Sequence, residues 1–240
     1  MLAVDTTQAM SPQSFQGVAV DRRLDGKVSQ RLFCISSVRT VTPKEVIFCQ
    51  DEPGDYVYEI IEGVVKLYML TADGRMQITG FAYPGQILAL DADVAYSTTA
   101  EAVTHTELCQ YPRAKFERVI DECPQLARQL FAIVARDLTV ARSQMLLLGR
   151  KSATEKVASF LLDLSELKDA RGEDPSVIDL PMSRGDIGDF LGLTIETVSC
   201  TITRLRQLGV LDLRQHRTVV VRDIDRLSDL AEGDELSFAC

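Results

Sequence analysis

The stretch SRGDIGDFLGLTIETVSCTITRLRQLG, residues 183–209, has the pattern of two short helices joined by a tight turn. Ser183, followed three residues later by Asp186, predicts a capped start for the first helix. Gly192 predicts the end of that helix, and Thr194 is suited to cap the second one. Two helices joined by a short glycine-containing turn are typical of the helix-turn-helix unit, whose second helix enters the major groove of DNA.

The second predicted helix has one apolar face and one polar face. Val198, Ile202 and Leu205 recur at helical spacing, so we expect them to face the core. The exposed first turns of such a helix contact base edges, and arginines at the edge of the module contact phosphate groups. The candidate DNA-contacting residues are Arg184, Thr194, Glu196, Ser199, Cys200, Thr203, Arg204 and Arg217.

Two short aliphatic runs follow the second helix, at 210–213 and 218–221, and the polar turn RQHR lies between them. This pattern predicts a β-hairpin, which would form a wing beside the helices. The net charge of −9 argues mildly against a nucleic-acid partner, but a local basic face is sufficient for DNA binding. The residues of the local basic cluster are Arg204, Arg206, Arg214, His216 and Arg217. A charged helix face is more often simply solvated, and the presence of both helices, the turn and the hairpin favours the DNA-binding interpretation.

Upstream of this unit, residues 124–148 predict a long helix with an apolar seam. Apolar side chains recur there at alternating spacings of four and three, the heptad pattern of helices that pair with their own copy. The residues expected at the dimer interface are Phe131, Val134, Leu138, Ala141, Met145 and Leu148. The stripe is narrower than one that faces a protein core, so a parallel homodimer is favoured over a helix that only covers its own β-domain. A charge at the position of Ala141 would face its own copy, and alanine avoids that repulsion.

The first half of the chain has the pattern of a β-domain. Short β-branched and aromatic runs alternate with turn signals such as Pro53-Gly54 and Pro84-Gly85, as in a barrel, sandwich or roll. Asp73-Gly74 predicts a type I′ hairpin turn, in which both central residues take positive φ.

These patterns predict an α+β chain with five parts. Gly149 is expected to end the long helix, and the capping box at Ser152–Glu155 to start the next one. The predicted parts are a mobile arm at 1–28, a β-roll at 29–112, a helical connector with the dimerisation helix at 113–149, a winged helix-turn-helix at 150–232 and a tail at 233–240.

Residues 183–209 resemble the recognition motif of the CRP/FNR family of bacterial transcription regulators. The resemblance extends upstream through QITGF at 77–81 and MLLL at 145–148, and the similarity is greatest to the FNR/FixK branch. It implies a β-roll like that of cyclic-nucleotide-binding domains, a long dimerisation helix and a C-terminal winged helix-turn-helix. It also implies a homodimer that binds palindromic DNA with TTGA-type half-sites, contacts RNA polymerase and activates transcription.

Carried over to this chain, the resemblance implies that Glu196 accepts a hydrogen bond from a cytosine amino group. Ser199 would approach a neighbouring base or methyl group. The family usually has arginine at the position of Cys200, where its planar fork pairs with guanine. A cysteine cannot make that bidentate contact, so the preferred operator is expected to differ or to be relaxed at that base.

No cofactor is expected from the residues that the family uses to hold one. In the cyclic-nucleotide branch a Gly-Glu pair and an Arg-Ser pair hold the ribose and the phosphate, and the corresponding stretches here are Gly85-Gln86 and Tyr96-Ser97. The phosphate would therefore lack a countercharge. In the iron–sulfur branch, cysteines of the N-terminal arm join one that Cys109 resembles, but no cysteine precedes Cys34. No cluster of cysteine and histidine suggests a metal site either.

A regulator that needs no bound effector is therefore the favoured hypothesis. FixK-type members resemble this pattern, and the genes controlled would be those of low-oxygen respiration or nitrogen fixation. Two alternatives stay open: an effector-binding regulator with an unidentified ligand, and a thiol redox-responsive regulator acting through Cys200. A thiol near Arg204 and the start of a helix is a candidate for oxidation, and a sulfinate there would repel phosphate. The simpler interpretation is a small residue tolerated at a contact position.

An enzyme is not expected, because metalloenzymes built on β-rolls need several converging histidines and carboxylates, and the β-domain has only His105. A dimerisation adaptor that never contacts DNA is favoured by the net acidity and opposed by the basic wing with Glu196 and Ser199. No apolar run is long enough to cross a bilayer, and the first residues lack the pattern of a secretory signal. We therefore expect a cytoplasmic protein without a membrane partner.

Overall fold

The computed structural model describes residues 26–91, 94–214 and 217–233. Most of the predicted arm at 1–28 and most of the predicted tail at 233–240 lie outside the described residues. The boundary of the arm at residue 28 is wrong, because helix α1 spans Gly26–Ile35. Val28 and Leu32, one helical turn apart, are buried in a cluster with Phe116 and Val119, and this burial holds the helix against the domain.

Between residues 26 and 123, eight strands of the described chain form two four-stranded sheets in the N-terminal domain. They are β1 (Ser37–Val41), β2 (Val46–Phe48), β3 (Tyr56–Glu62), β4 (Val65–Leu70), β5 (Met76–Ala82), β6 (Ile87–Leu88), β7 (Thr99–Ala102) and β8 (Thr106–Pro112). The sheet orders are β1-β8-β3-β6 and β2-β7-β4-β5, and neighbouring strands are antiparallel. Val41, Ile60, Val65 and Leu108 are fully buried in a common cluster of this domain, as expected for a β-roll with an apolar interior.

The hairpin between β4 and β5 is present, but its turn differs from the predicted type I′. Gly74 has φ 82°, whereas Asp73 does not have positive φ. The Gly74 amide donates to the Thr71 carbonyl at 2.8 Å, and the Thr71 amide donates to the Arg75 carbonyl at 2.9 Å. The loop therefore has three residues, with a type I turn followed by a left-handed glycine. Only one residue needs positive φ, and the Asp73 carboxylate accepts from the Arg75 guanidinium at 2.8 Å across the loop.

Two helices connect the domains, α2 (Arg113–Glu122) and the 27-residue α3 (Pro124–Arg150). The helix α3 is about 40 Å long, and one of its faces packs on the β-roll through Leu126, Leu130 and Ile133. The prediction that Gly149 ends this helix is wrong. Glycine costs about 1 kcal/mol in a helix interior but does not by itself end a helix. The chain leaves the helix at Lys151, which is extended with φ −81° and ψ 143°.

In the described part of the C-terminal domain, three strands lie beside four helices. The elements are α4 (Ala153–Asp169), β9 (Val177–Asp179), α5 (Arg184–Leu191), α6 (Ile195–Gln207), β10 (Leu211–Arg214), β11 (Thr218–Val221) and α7 (Ile224–Glu232). The strands form an antiparallel sheet in the order β10-β11-β9. The predicted wing hairpin is β10–β11, and its tip residues 215–216 lie outside the described residues. The predicted capping box of α4 is present at Ser152 and Glu155.

The two domains share a hydrophobic core. Side chains from the β4–β5 sheet and its exit (Tyr68, Ile78, Phe81 and Tyr83) belong to the same buried cluster as α4 and α5. The Phe81 ring lies 5.4 Å from the Phe190 ring and 6.3 Å from the Phe160 ring, centroid to centroid. The α+β prediction of a β-roll, a long helix and a winged helix-turn-helix is thus confirmed. Within the described residues, none of the helices has the length and apolar character required to cross a membrane.

Candidate DNA-binding surface

Local hydrogen bonds fix both ends of α5. The Asp186 amide donates to the Ser183 hydroxyl at 3.0 Å, and the Ser183 amide donates to the Asp186 carboxylate at 2.9 Å, so the predicted capping box is present. Gly192 ends the helix with φ 63°. A side chain on Gly188 would lie 2.6 Å from the Leu193 carbonyl oxygen, so glycine at this position lets the turn between the helices pass close to α5.

The helix α6 is oriented by its buried face. Thr194 caps the helix, since its hydroxyl accepts from the Thr197 amide at 3.2 Å. Val198, Ile202 and Leu205 are between 0% and 3% exposed, which confirms the predicted inward face. Because these residues pack against the rest of the domain, the opposite face of α6 points to solvent.

The outer face of α6 carries most of the predicted contact residues. Glu196, Ser199, Cys200, Thr203 and Arg204 are all exposed. In the free protein the Ser199 hydroxyl donates to the Ile195 carbonyl at 2.8 Å, and the Thr203 hydroxyl donates to the Ser199 carbonyl at 2.9 Å. Both hydroxyl oxygens keep lone pairs that can accept from a base or from water.

The Glu196 carboxylate is prepared to act as an acceptor. Its own backbone N–H and the Thr194 hydroxyl, as hydrogen-bond donors, lower the pKa of Glu196 below its ordinary value of 4.5. The group is therefore ionised at neutral pH, as an acceptor of a base amino group must be.

The predicted phosphate contacts are not equally accessible. Arg204 and Arg217 are exposed, whereas Arg184, the first residue of α5, is half-buried. Burial lowers the pKa of Arg184 below its ordinary value, and one guanidinium nitrogen, Nη1, is buried without a hydrogen-bond partner among the residues described. His216 of the predicted basic cluster lies outside the described residues.

Two other side chains of this surface, Arg206 and Ile195, differ from the expectations drawn from the sequence. Arg206, placed in the basic cluster, lies 3.8 Å from Asp212, which also contacts Arg222 at 3.3 Å. Part of the Arg206 charge is therefore offset within the domain.

Ile195 is an exposed apolar residue of this surface that the sequence pattern did not identify. It is 49% exposed at the first position of α6 and adjacent to Glu196. Its place directly after the predicted cap was the signal that could have identified it.

The predicted dimer seam of α3 lies on an exposed face. Phe131 is 76% exposed, Leu138 52% and Met145 74%, although all three are large apolar residues. Val134 and Ala141 are also exposed, and Leu148 is partly buried. Leu126, Leu130 and Ile133 cover the chain's own β-roll, so α3 has two apolar faces, and the described residues of this chain occupy only one of them.

A cavity of about 690 Å³ lies between the β-roll, the seam face of α3 and Phe190. The charged side chains among its described lining residues are Asp91 and Asp137, and neither lysine nor arginine belongs to that lining. Desolvation by the cavity wall raises the pKa of Asp137, although the residue as a whole is exposed, and the nearby Asp91 raises it further. This lining does not fit a cyclic phosphate, which requires a positive partner.

Cys109, which resembles one iron–sulfur ligand of the family, lies on β8. Cys109 is half-buried, and burial raises the pKa of its thiol. Among residues 26–91, 94–214 and 217–233, no group of three or more His, Cys, Asp and Glu side chains could hold a metal ion.

Comparison with known proteins gives matches along most of the chain. Residues 155–230 match the model of the Crp-like helix-turn-helix domain, and residues 38–123 match that of the cyclic nucleotide-binding domain. The chain is 42% identical over 197 residues to the transcriptional activatory protein AadR of Rhodopseudomonas palustris. The aligned residues make up 82% of this chain and 80% of the relative. It is 42% identical over 187 residues to the nitrogen fixation regulation protein FixK of Bradyrhizobium diazoefficiens, with 78% of each chain covered. The solved structure of FixK2 from Bradyrhizobium japonicum superposes with a TM-score of 0.76 at 39% identity, over 82% of this chain and 97% of that one.

Proposed function

This chain belongs to the CRP/FNR family of DNA-binding transcription regulators, in its FixK-like branch, and from that premise we propose that it is a homodimeric activator of transcription that binds palindromic DNA with TTGA-type half-sites. The observation that carries the proposal is the exposed outer face of α6, where an ionised Glu196 and the Ser199 hydroxyl share one side of a capped helix. Such a face is suited to the major groove.

Base recognition would begin at the first two turns of α6. Glu196 would accept from a cytosine amino group, and Ser199 would approach the neighbouring base. Ile195 has the size and exposure to contact a thymine methyl group. Thr194 and Thr203 would bound this surface at either end, and Cys200 would leave one base without a bidentate partner.

Phosphate contacts would fix the register on the duplex. Arg204 and Arg217 are exposed and free of close carboxylates among the residues described. Arg184 is half-buried at the start of α5, so it would contact phosphate only through the exposed part of its guanidinium. Contacts of this kind provide affinity and strong salt dependence without sequence preference.

The dimer would form through the free apolar face of α3. Phe131, Val134, Leu138, Ala141, Met145 and Leu148 would meet the same residues of the partner subunit. A parallel arrangement along this seam gives a two-fold axis between two recognition helices, which matches a palindromic operator.

The regulatory programme is proposed from the relatives. Proteins named for nitrogen fixation regulation and for transcriptional activation are 42% identical to this chain, which supports an activator of nitrogen-fixation or low-oxygen genes that also contacts RNA polymerase. In the favoured hypothesis, the protein binds DNA without an iron–sulfur cluster or a cyclic nucleotide. The cavity beside α3 keeps an unidentified apolar effector as an alternative.

Redox control through Cys200 is a second candidate, and one specific observation favours it. The thiol is exposed on the proposed DNA-facing side of α6, one residue from Ser199, so an oxidant can reach it and the oxidised group would meet the duplex.

A titration of the full chain tests these proposals. Labelled duplexes would carry either a TTGA-type palindrome or the same bases scrambled, with and without peroxide. We expect tighter binding to the palindrome, and equal affinity for both duplexes would contradict the proposed function. If peroxide weakens binding in the wild type but not in Cys200→Ser, redox control is supported, and equal weakening in both rejects it.

A further inference from the structure

The helix α5 is held by the β-roll at its start. The Lys66 ammonium lies 3.0 Å from one carboxylate oxygen of Asp186, Oδ1, and 3.1 Å from Glu101. Lys66 and Glu101 occupy paired positions on the neighbouring strands β4 and β7. The three side chains are only 12% to 18% exposed, so water screens this cluster less than a surface ion pair.

The Asp186 carboxylate divides its two oxygens between local and tertiary structure. Oδ2 accepts from the Ser183 amide and hydroxyl in the capping box, while Oδ1 contacts Lys66. Partial burial acts to raise the pKa of Asp186, but hydrogen bonds from Ser183 and Lys66 outweigh it and lower the pKa below 3.8. The carboxylate is therefore charged at neutral pH, and the start of α5 is tied to β4.

The end of α5 is held by two amide side chains. Gln77 on β5 donates from Nε2 to the Asp189 carbonyl at 2.6 Å, and Gln144 on α3 donates to the Phe190 carbonyl at 3.0 Å. These carbonyls belong to the last turn of the helix, where acceptors lack partners within the helix itself. Phe190 packs edge to face on Phe81 of β5 between these attachments.

The helix α5 in turn carries α6. The turn between them passes so close that Gly188 has no room for a side chain, and the two helices pack together. A change in the orientation of α5 would therefore move the outer face of α6 with it. None of the β-roll attachments covers that outer face, which is exposed with α5 held in place.

We propose that Lys66 and Gln77 are positioning residues for DNA recognition: by fixing α5 to the β-roll they set the angle and distance between the two α6 helices of a dimer, and so the half-site spacing that the protein accepts. The inference rests on the proposed function, since it needs a dimer on a palindrome. Half-sites of one operator lie about one helical turn apart, and a change of two base pairs turns one half-site by about 70° around the DNA. A rigid pair of recognition helices would bind the changed duplex weakly, because only one helix can fit its half-site. A loosely attached pair could reorient and would lose less affinity.

The test uses the full chain and a series of palindromic duplexes that differ only in spacer length, together with the scrambled duplex. The variants are Lys66→Met and Gln77→Met, which keep an unbranched side chain of similar length and remove the polar contact to α5. Lys115→Met, at an exposed lysine of α2, removes the same charge as Lys66→Met without touching α5 and serves as the control. Gln77→Met leaves no buried carboxylate unpaired, so it tests the proposal even if Lys66→Met folds poorly.

We expect the wild type and Lys115→Met to bind the duplex with the best spacer at least about tenfold more tightly than a duplex whose spacer is changed by two base pairs. In Lys66→Met and Gln77→Met we expect this affinity ratio to fall to about threefold or less. A purely structural role would lower the melting temperature and the affinity for every spacer while leaving the ratio unchanged, and that result would overturn the inference. Tighter binding of the variants to every spacer would overturn it as well, because the contacts would then be inhibitory. If the wild type itself fails to prefer the palindrome over the scrambled duplex, the proposed function is wrong and not only this inference.

Discussion

In the proposed complex with DNA, single side chains of α6 would determine which bases this protein distinguishes. The resemblance to the family implies base contacts for Glu196 and Ser199, and it implies that Cys200 stands where the family usually has arginine. A thiol is a weak hydrogen-bond donor, so in the proposed complex one base of each half-site would lack a strong partner. The consequence is testable because the missing group can be put back.

Cys200→Arg should increase affinity for a half-site with guanine at the facing position. One bidentate arginine–guanine pair contributes about 1–3 kcal/mol of discrimination, so we expect guanine to be preferred by about fivefold or more at that position. Binding titrations on duplexes substituted at each base of the half-site measure this preference.

The control for that substitution is Cys34→Arg, which adds the same charge at an exposed cysteine of α1. If both variants gain affinity equally for all duplexes, the gain comes from net charge and position 200 does not face a base.

At the scale of the element, α3 packs on the β-roll with one face and exposes the proposed dimer contacts on another. One face packs on the β-roll through Leu126 and Leu130, and the other exposes an apolar stripe. At the end of the helix, Leu148 approaches Gly192 in the turn after α5, and Gln144 contacts the Phe190 carbonyl. The same helix thus carries the proposed dimer contacts and contacts the helix-turn-helix unit.

Ala141→Asp should dissociate the dimer, because two carboxylates would face each other across the seam. Repulsion between close like charges in a partly desolvated interface costs on the order of 1–4 kcal/mol, so the dimer dissociation constant should rise by about fivefold or more. Sedimentation equilibrium over a concentration series gives this constant directly, and binding to the palindrome should weaken in parallel.

Ala132→Asp is the matched control, since Ala132 is exposed on α3 but outside the seam. A dimer that tolerates aspartate at position 141 as well as at position 132 would show that α3 does not pair along the predicted stripe.

At the scale of the whole molecule, the charge of the chain opposes DNA binding. The net charge is −9, so attraction to DNA depends on a few arginines of the C-terminal domain. Three arginines per protomer, Arg184, Arg204 and Arg217, would give six phosphate contacts in a dimer.

The logarithm of the binding constant should therefore fall with the logarithm of the salt concentration with a slope of about −5, at roughly 0.9 counterion released per contact. Arg217→Ser should make the slope shallower by about 2 units, because two contacts per dimer are lost. Titrations at four or five salt concentrations measure both slopes.

Arg118→Ser, at an exposed arginine of α2, should leave the slope unchanged. A wild-type slope near zero would contradict a phosphate-based interface, and an equal effect of both substitutions would assign the effect to net charge.

The sequence by itself determined the features whose signals lie within a few residues. Local signals specify the helix-turn-helix unit: the caps Ser183 and Thr194, the left-handed Gly192 and the apolar spacing of α6. The sequence was therefore sufficient to predict the unit and its exposed face. The alternating spacing of α3 likewise identifies one apolar stripe, whose role as a dimer seam stays a prediction.

Only the tertiary structure decided how these parts are joined. Lys66 meets Asp186 across 120 positions and Gln77 meets Asp189 across 112, and no local pattern encodes a pairing over such distances. The offset of Arg206 by Asp212 and the docking of α1 on α2 likewise arise from packing. Periodicity and capping report which face of an element is buried, because that is a property of neighbouring residues. Which distant surface covers that face is decided by shape and charge complementarity in the folded chain.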